Sequence, residues 1–299
     1  MLRLSPSLAP CLAVAALCAC APALPHPWSH DDVCSAKAGG SIDAGTWLRL
    51  ILHDYRPEVG RINLDCSGVE IAWEGPAHQC VDPESARRAL PDRPIAERDV
   101  VVSEVDRAHR LVWVQTRHFA DGDALGPIAL VKVRGRRLRV EALGTLRAYP
   151  SSRLRLVQGG GAVVLVAEGK ACPGAGSTGC GRAARLMTLN GTRFSPSRMV
   201  DEGGACLGAG WVQLAREVVE RVGEGKERHY RLDASVSGGA DGIRLTELVT
   251  VHDRDPRRPA ASEKLFRRAE AMGVYRVRGG DLVAESGPLW SRVGVPGGL

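Results

Sequence analysis

The chain has 299 residues, 44% of them hydrophobic, enough for a packed core and against global disorder. Aromatics make up only 4%, so the core must rest on Val, Leu, Ala and Ile. The formal charge of +6 does not mark a nucleic-acid binder, because basic residues alternate with acids, as in Arg216-Glu217 and Asp253-Arg254-Asp255, and lack stacking aromatics.

Residues 1–19 begin with one positive charge, Arg3, followed by an apolar stretch over 8–19. As a helix that stretch would span about 18 Å, short of a bilayer core of ~30 Å. A basic start before a short apolar run predicts a signal peptide. Leu17-Cys18-Ala19-Cys20 then resembles the lipobox of bacterial lipoproteins, with Leu three positions before the cysteine and a small residue directly before it. The resemblance covers about the first 20 residues. It implies cleavage before Cys20, a diacylglycerol on its thiol, and attachment to a membrane through that lipid. Ala21, where an Asp would retain the protein, implies the outer membrane. The alternative is ordinary cleavage after Ala21-Pro22-Ala23, giving a soluble secreted or periplasmic product that starts at Leu24.

Residues 20–40, rich in Pro, Ala, Ser and Gly, read as a tether. A small N-terminal β region follows over 41–95. Within it, 47–55 fits either a helix face (Leu48, Ile51, Leu52, Tyr55) or a strand face (Leu48, Leu50, Leu52). The β-like remainder of the chain favours the strand. A further strand is expected over 69–73 and a short helix over 83–90, stopped by Pro91.

Of nine cysteines, Cys11 and Cys18 leave with the signal and Cys20 takes the lipid. Cys34, Cys66, Cys80, Cys172, Cys180 and Cys206 remain, an even number that predicts disulfides in an exported chain. Pairing neighbours across turn-rich loops gives Cys66–Cys80 and Cys172–Cys180, and exclusion gives Cys34–Cys206. Zinc is the weaker alternative, since no C-x-x-C pair is present.

From 96 to 299 the pattern is all-β, an antiparallel meander of many short strands. Residues 111–114 and 163–166 are continuous apolar runs, as in strands buried on both faces. Hairpins are expected around Arg134-Gly135, Asn190-Gly191 and Gly279-Gly280, and long strands over 211–222, 227–236 and 243–251. Aligning the three hairpins on Gly135, Gly191 and Gly279 gives a weak repeat with a period in the fifties. That unit, a buried strand plus a hairpin, resembles a β-propeller blade. A propeller-like arrangement is one expectation and a barrel-like meander the other. One helix is expected over 262–272, capped by Ser262, with Leu265, Phe266, Ala269 and Met272 as its stripe. The basic group Arg134, Arg136, Arg137 and Arg139 reads as a solvated hairpin tip.

No nucleophile elbow, zinc-protease helix, phosphate loop or calcium loop is found, so the catalytic residues stay unknown, and no metal or cofactor is expected. The expected function is binding or structural, in a cell-envelope lipoprotein with a protein or glycan ligand. The loops at 116–126 and 170–182 are the places to look. The alternative is an exported hydrolase whose residues converge only in the fold, with His53, His118, His229 and His252 as candidate general bases.

Overall fold

The computed structural model describes residues 34–56, 63–73, 80, 89–91, 93–171, 181–223, 225–257 and 263–293. Strands take up 62% of it, so the protein is all-β.

Part of the stretch expected as a tether is a strand. Strand β1 (Ser35–Lys37) lies antiparallel against β6 (Arg137–Ala148), with Ser35 opposite Arg139 and Lys37 opposite Arg137. Residues 44–51 form helix α1 (Ala44–Ile51), not the expected strand. The Asp43 side chain accepts a bond from Thr46 N at 2.7 Å, satisfying an end the helix cannot satisfy itself. Trp47, Leu48, Leu50 and Ile51 are all buried. Apolar residues this dense satisfy both periods, and the cap decides between them. Over 69–73 there is only an isolated bridge, Leu64 to Glu70, in place of a strand. The helix expected over 83–90 falls almost wholly outside the described residues.

Strands β2 (Val100–Glu104), β3 (His109–Val114), β5 (Ala124–Arg134) and β6 pair antiparallel in that order, with the short β4 (Arg117–His118) on β5. Val112 and Val114 of β3 face α1 and pack with Trp47 and Ile51. Leu111 and Trp113 face the other way and meet Leu165 and Met187. Those two residues belong to a second layer: β7 (Arg153–Gly159), β8 (Ala162–Ala171) and β9 (Gly181–Asn190). Its opposite face, with Val164, Val166 and Leu186, packs on Leu232, Leu245 and Val249 of a third layer. That layer comprises β13 (Trp211–Val222), β14 (Lys226–Gly239), β15 (Gly242–Arg254) and β16 (Lys264–Arg278). Both apolar runs read from the sequence are therefore strands covered on two sides.

The three layers are one hydrogen-bonded network. On the edge away from β8, β9 pairs with β10 (Arg193–Pro196) over one half and with β13 over the other, and β10 continues the first layer by lying parallel to β6. Strands β11 (Arg198–Val200), β12 (Cys206–Ala209) and β17 (Asp281–Val283) close off one end, with β11 parallel to β17. The result is a large open mixed sheet, neither closed into a barrel nor divided into separate blades. The three expected hairpins join β5 to β6, β9 to β10 and β16 to β17. In each the first turn residue is glycine, with φ of 58° at Gly135, 58° at Gly191 and 59° at Gly279, a region side chains disfavour.

From Lys264 on, the helix expected over 262–272 is strand β16. A bulge lies between Val251–Arg267 and His252–Leu265 in its register with β15, so Phe266 is an extra residue. The bulge puts Leu265 and Met272 on one face and Phe266 and Ala269 toward the other, and this break in alternation imitates a helical stripe. The short helix α2 (Leu289–Val293) follows β17, and buried Glu247 accepts its first N–H groups, from Leu289 at 2.6 Å and Trp290 at 3.1 Å.

Among the described residues two disulfides form, Cys34–Cys66 and Cys80–Cys206, in place of the expected Cys66–Cys80 and Cys34–Cys206. Sequence proximity misleads because Cys66 is drawn under α1, its N–H donating to Ile51 O at 2.7 Å, where it meets Cys34. Cys80 packs instead with Val200 and Val283, beside β12. Cys172 and Cys180 lie outside the described residues.

Candidate functional site

Strand parity builds the most chemically distinctive surface of the molecule. In the β5–β6 hairpin Lys132 stands opposite Arg139, and Arg134 opposite Arg137. On the other edge of β6, β1 sets Ser35 opposite Arg139 and Lys37 opposite Arg137. Residues opposite one another share a face, so Lys37, Arg137 and Arg134 form one row across three strands, and Ser35, Arg139 and Lys132 the next. These residues line a groove of about 530 Å³ together with Ala36, Leu138 and Glu141.

The one carboxylate among the groove's described residues is already engaged. Glu141 takes Lys132 Nζ at 3.1 Å and His109 Nε2 at 3.2 Å, while His109 Nδ1 lies 2.8 Å from Asp106. Lys37, Arg134 and Arg137 make no ion pair among the described residues. Elsewhere arginines find acids: Arg198 with Asp281 at 2.7 Å, Arg228 with Asp253 at 2.7 Å, and buried Arg147 with Asp121 and Asp123, both at 3.2 Å. Like charges directly opposite across strands are destabilising, and this row places three in succession.

The four candidate histidines are spread over the molecule. His53 is exposed and lies 3.4 Å from Asp54. His118 borders a cleft of about 150 Å³ with Leu90, Pro91, Arg93, Thr116 and Arg117. Its Nε2 lies 3.1 Å from Arg93 Nη2 and 3.7 Å from Asp99 Oδ1. Burial, and then the Arg93 charge, hold this imidazole below its usual pKa, against the opposing pull of Asp99. Burial pushes the Asp99 carboxyl up, but two bonds from Arg93 and one from Ala96 N outweigh it and leave it below the usual carboxylate range. His229 and His252 are cross-strand neighbours on β14 and β15. His229 Nδ1 lies 2.9 Å from Glu217, whose carboxyl it holds low, and His252 lies 3.4 Å from Glu263. Among the described residues none of the four bonds a Ser or Cys, so they assemble no nucleophile–base pair. No group of three or more His, Cys, Asp or Glu there is arranged to hold a metal ion.

Of the two candidate loops, 116–126 is a tight connection from β4 to β5, with Phe119 N donating to Asp123 O at 2.9 Å. Most of 170–182 lies outside the described residues. Three of the groove's arginines, Arg134, Arg137 and Arg139, were expected only as a solvated hairpin tip, Lys37 as tether, and Lys132 was missed. The signal was there in part: basic residues at 132, 134, 137 and 139 share one face once a two-residue turn separates the strands.

No protein-family model, curated protein or solved structure shows a significant match to the chain.

Proposed function

We propose that the protein is an exported lipoprotein of the cell envelope, held at the outer membrane by a lipid on Cys20, that binds an anionic glycan in the β1–β5–β6 groove without catalysing a reaction. The observation that carries the binding reading is the row Lys37–Arg137–Arg134, three cations side by side that pair with no acid among the described residues. An anion seated across them removes the repulsion and gains charge-assisted hydrogen bonds, with planar guanidinium groups suited to carboxylate, sulfate or phosphate. The groove volume lies within the range of small-ligand sites. Export is supported by the lipobox-like Leu17–Cys20 segment and by two disulfides, which favour an oxidising compartment. No helix among the described residues is long and apolar enough to cross a membrane, so a membrane attachment through Cys20 would rest on the lipid.

Two measurements test the two halves separately. Radiolabelled palmitate should enter the wild-type chain and not Cys20→Ser; a soluble product starting at Leu24 defeats the anchor. Heparin, used as a polyanionic glycan probe, should bind more weakly as salt rises. Arg134→Glu with Arg137→Glu should weaken it at least about tenfold, and unchanged binding removes the groove from consideration.

A further inference from the structure

Strand β16 is 15 residues long and bonds β15 through 264–275 on one edge. Strand β17 pairs only with Arg276–Arg278, so over 264–275 the other edge of β16 meets no strand among the described residues. Leu265, Phe266 and Met272 on this segment are 58%, 59% and 60% exposed, more than any other large apolar side chain described as exposed. A long strand edge carrying exposed apolar side chains is a template for another strand.

The sequence of that edge selects the strand. We infer that two copies of this chain join edge to edge through β16, antiparallel, about a two-fold axis at Ala269. In that register Arg268 of each copy stands opposite Glu270 of the other, so the charge match occurs twice. Met272 of each copy meets the bulge at Leu265 and Phe266 of the other, on the face that Leu265 and Met272 share. A two-fold axis between antiparallel strands must run perpendicular to the sheet through one residue position, because residues opposite one another must share a face. Moving it to Arg268 sets arginine against arginine, and moving it to Glu270 sets glutamate against glutamate. Within one chain Arg268 already bonds Glu270, so the dimer gathers four alternating charges. The groove on β1, β5 and β6 takes no part, and this inference stands independently of what it binds.

Sedimentation velocity on the full chain, purified as expressed, tests it over about 1–100 μM, a range in which weak and moderate dimers separate from monomers. A dimer is expected. Arg268→Glu should weaken it at least about tenfold, since two attractive pairs become two repulsive ones. Arg268→Glu combined with Glu270→Arg restores both the pair within the chain and the pairs between chains, and should restore the dimer. Circular dichroism of each variant checks that the sheet is intact. A monomer at the highest concentration overturns the inference, as does a dimer indifferent to Arg268→Glu or one the exchanged pair fails to recover.

Discussion

Strands β3 and β16 belong to one network and have opposite lives in it. Leu111, Val112, Trp113 and Val114 of β3 are all 0% exposed, whereas three large apolar side chains of β16 are at least 58% exposed. The difference lies in what covers each strand. β3 sits between α1 on one side and β8 and β9 on the other, so neither face needs polar residues. β16 is the last long strand of the third layer, and over 264–275 one of its edges pairs with no strand among the described residues. An apolar run thus reports the number of layers around a strand more faithfully than it reports the strand itself.

Several changes would break or sharpen that contrast. The largest effect belongs to the cross-linked body. Replacing Cys80 and Cys206 with serine opens a loop of sequence separation 126 and should cost about 4–5 kcal/mol in urea unfolding. Trp113→Ala removes a ring from a packed interior and should cost about 3–5 kcal/mol by the same measurement. Gly238 sits where β14 crosses β7, and an added Cβ would lie 1.7 Å from Gln158 O. Gly238→Ala should therefore force the layers apart at a cost of at least about 1–3 kcal/mol, read as a lowered melting temperature. A smaller loss follows acidification. The unfolded chain protonates His118 near pH ~6.5 and the folded chain only lower, so this contribution is intact above that value and falls as pH drops through it. Asp99 acts in the same direction further down, its share being lost as pH falls through its depressed folded pKa. Melting curves at successive pH values should show the first step, and His118→Gln should flatten it. The smallest effect on the unfolding of a single copy is expected at Phe266→Ala, where within the chain the Arg228 guanidinium, 4.1 Å from the ring centroid, loses a partner: under about 1 kcal/mol. Equal costs for Phe266→Ala and Trp113→Ala would undo the contrast between the two strands.

The sequence was most legible where period and turn chemistry agreed. The long strands expected over 211–222, 227–236 and 243–251 correspond to β13 (Trp211–Val222), β14 (Lys226–Gly239) and β15 (Gly242–Arg254), and the three glycine turns are where they were expected. It misled where a single local feature overrode the period. At α1 the Asp43 cap turned an ambiguous run into a helix, and at Phe266 one bulged residue turned a strand into an apparent helix. The candidate site was half legible. Arg134, Arg137 and Arg139 lie on one hairpin, but Lys37 joins them through a pairing between segments a hundred residues apart, which no local pattern encodes. The disulfides failed for the same reason, since nearness along the chain is not nearness in the sheet.

Cys34–Cys66 and Cys80–Cys206 differ in span, at 32 and 126 residues, and so in the order in which they can form. In a chain emerging N-terminus first into an oxidising compartment, Cys34 and Cys66 are both out before any other partner in the folded body. Cys80 then waits while Cys172 and Cys180 appear ahead of Cys206. Any bond it makes in that interval is wrong and must be broken by thiolate attack before β11 and β12 can settle. In such a compartment both bonds need an oxidant, and the one at Cys80 is expected to need a disulfide isomerase as well. The long-range bond would be the last covalent event, sealing a sheet whose strands are already in register.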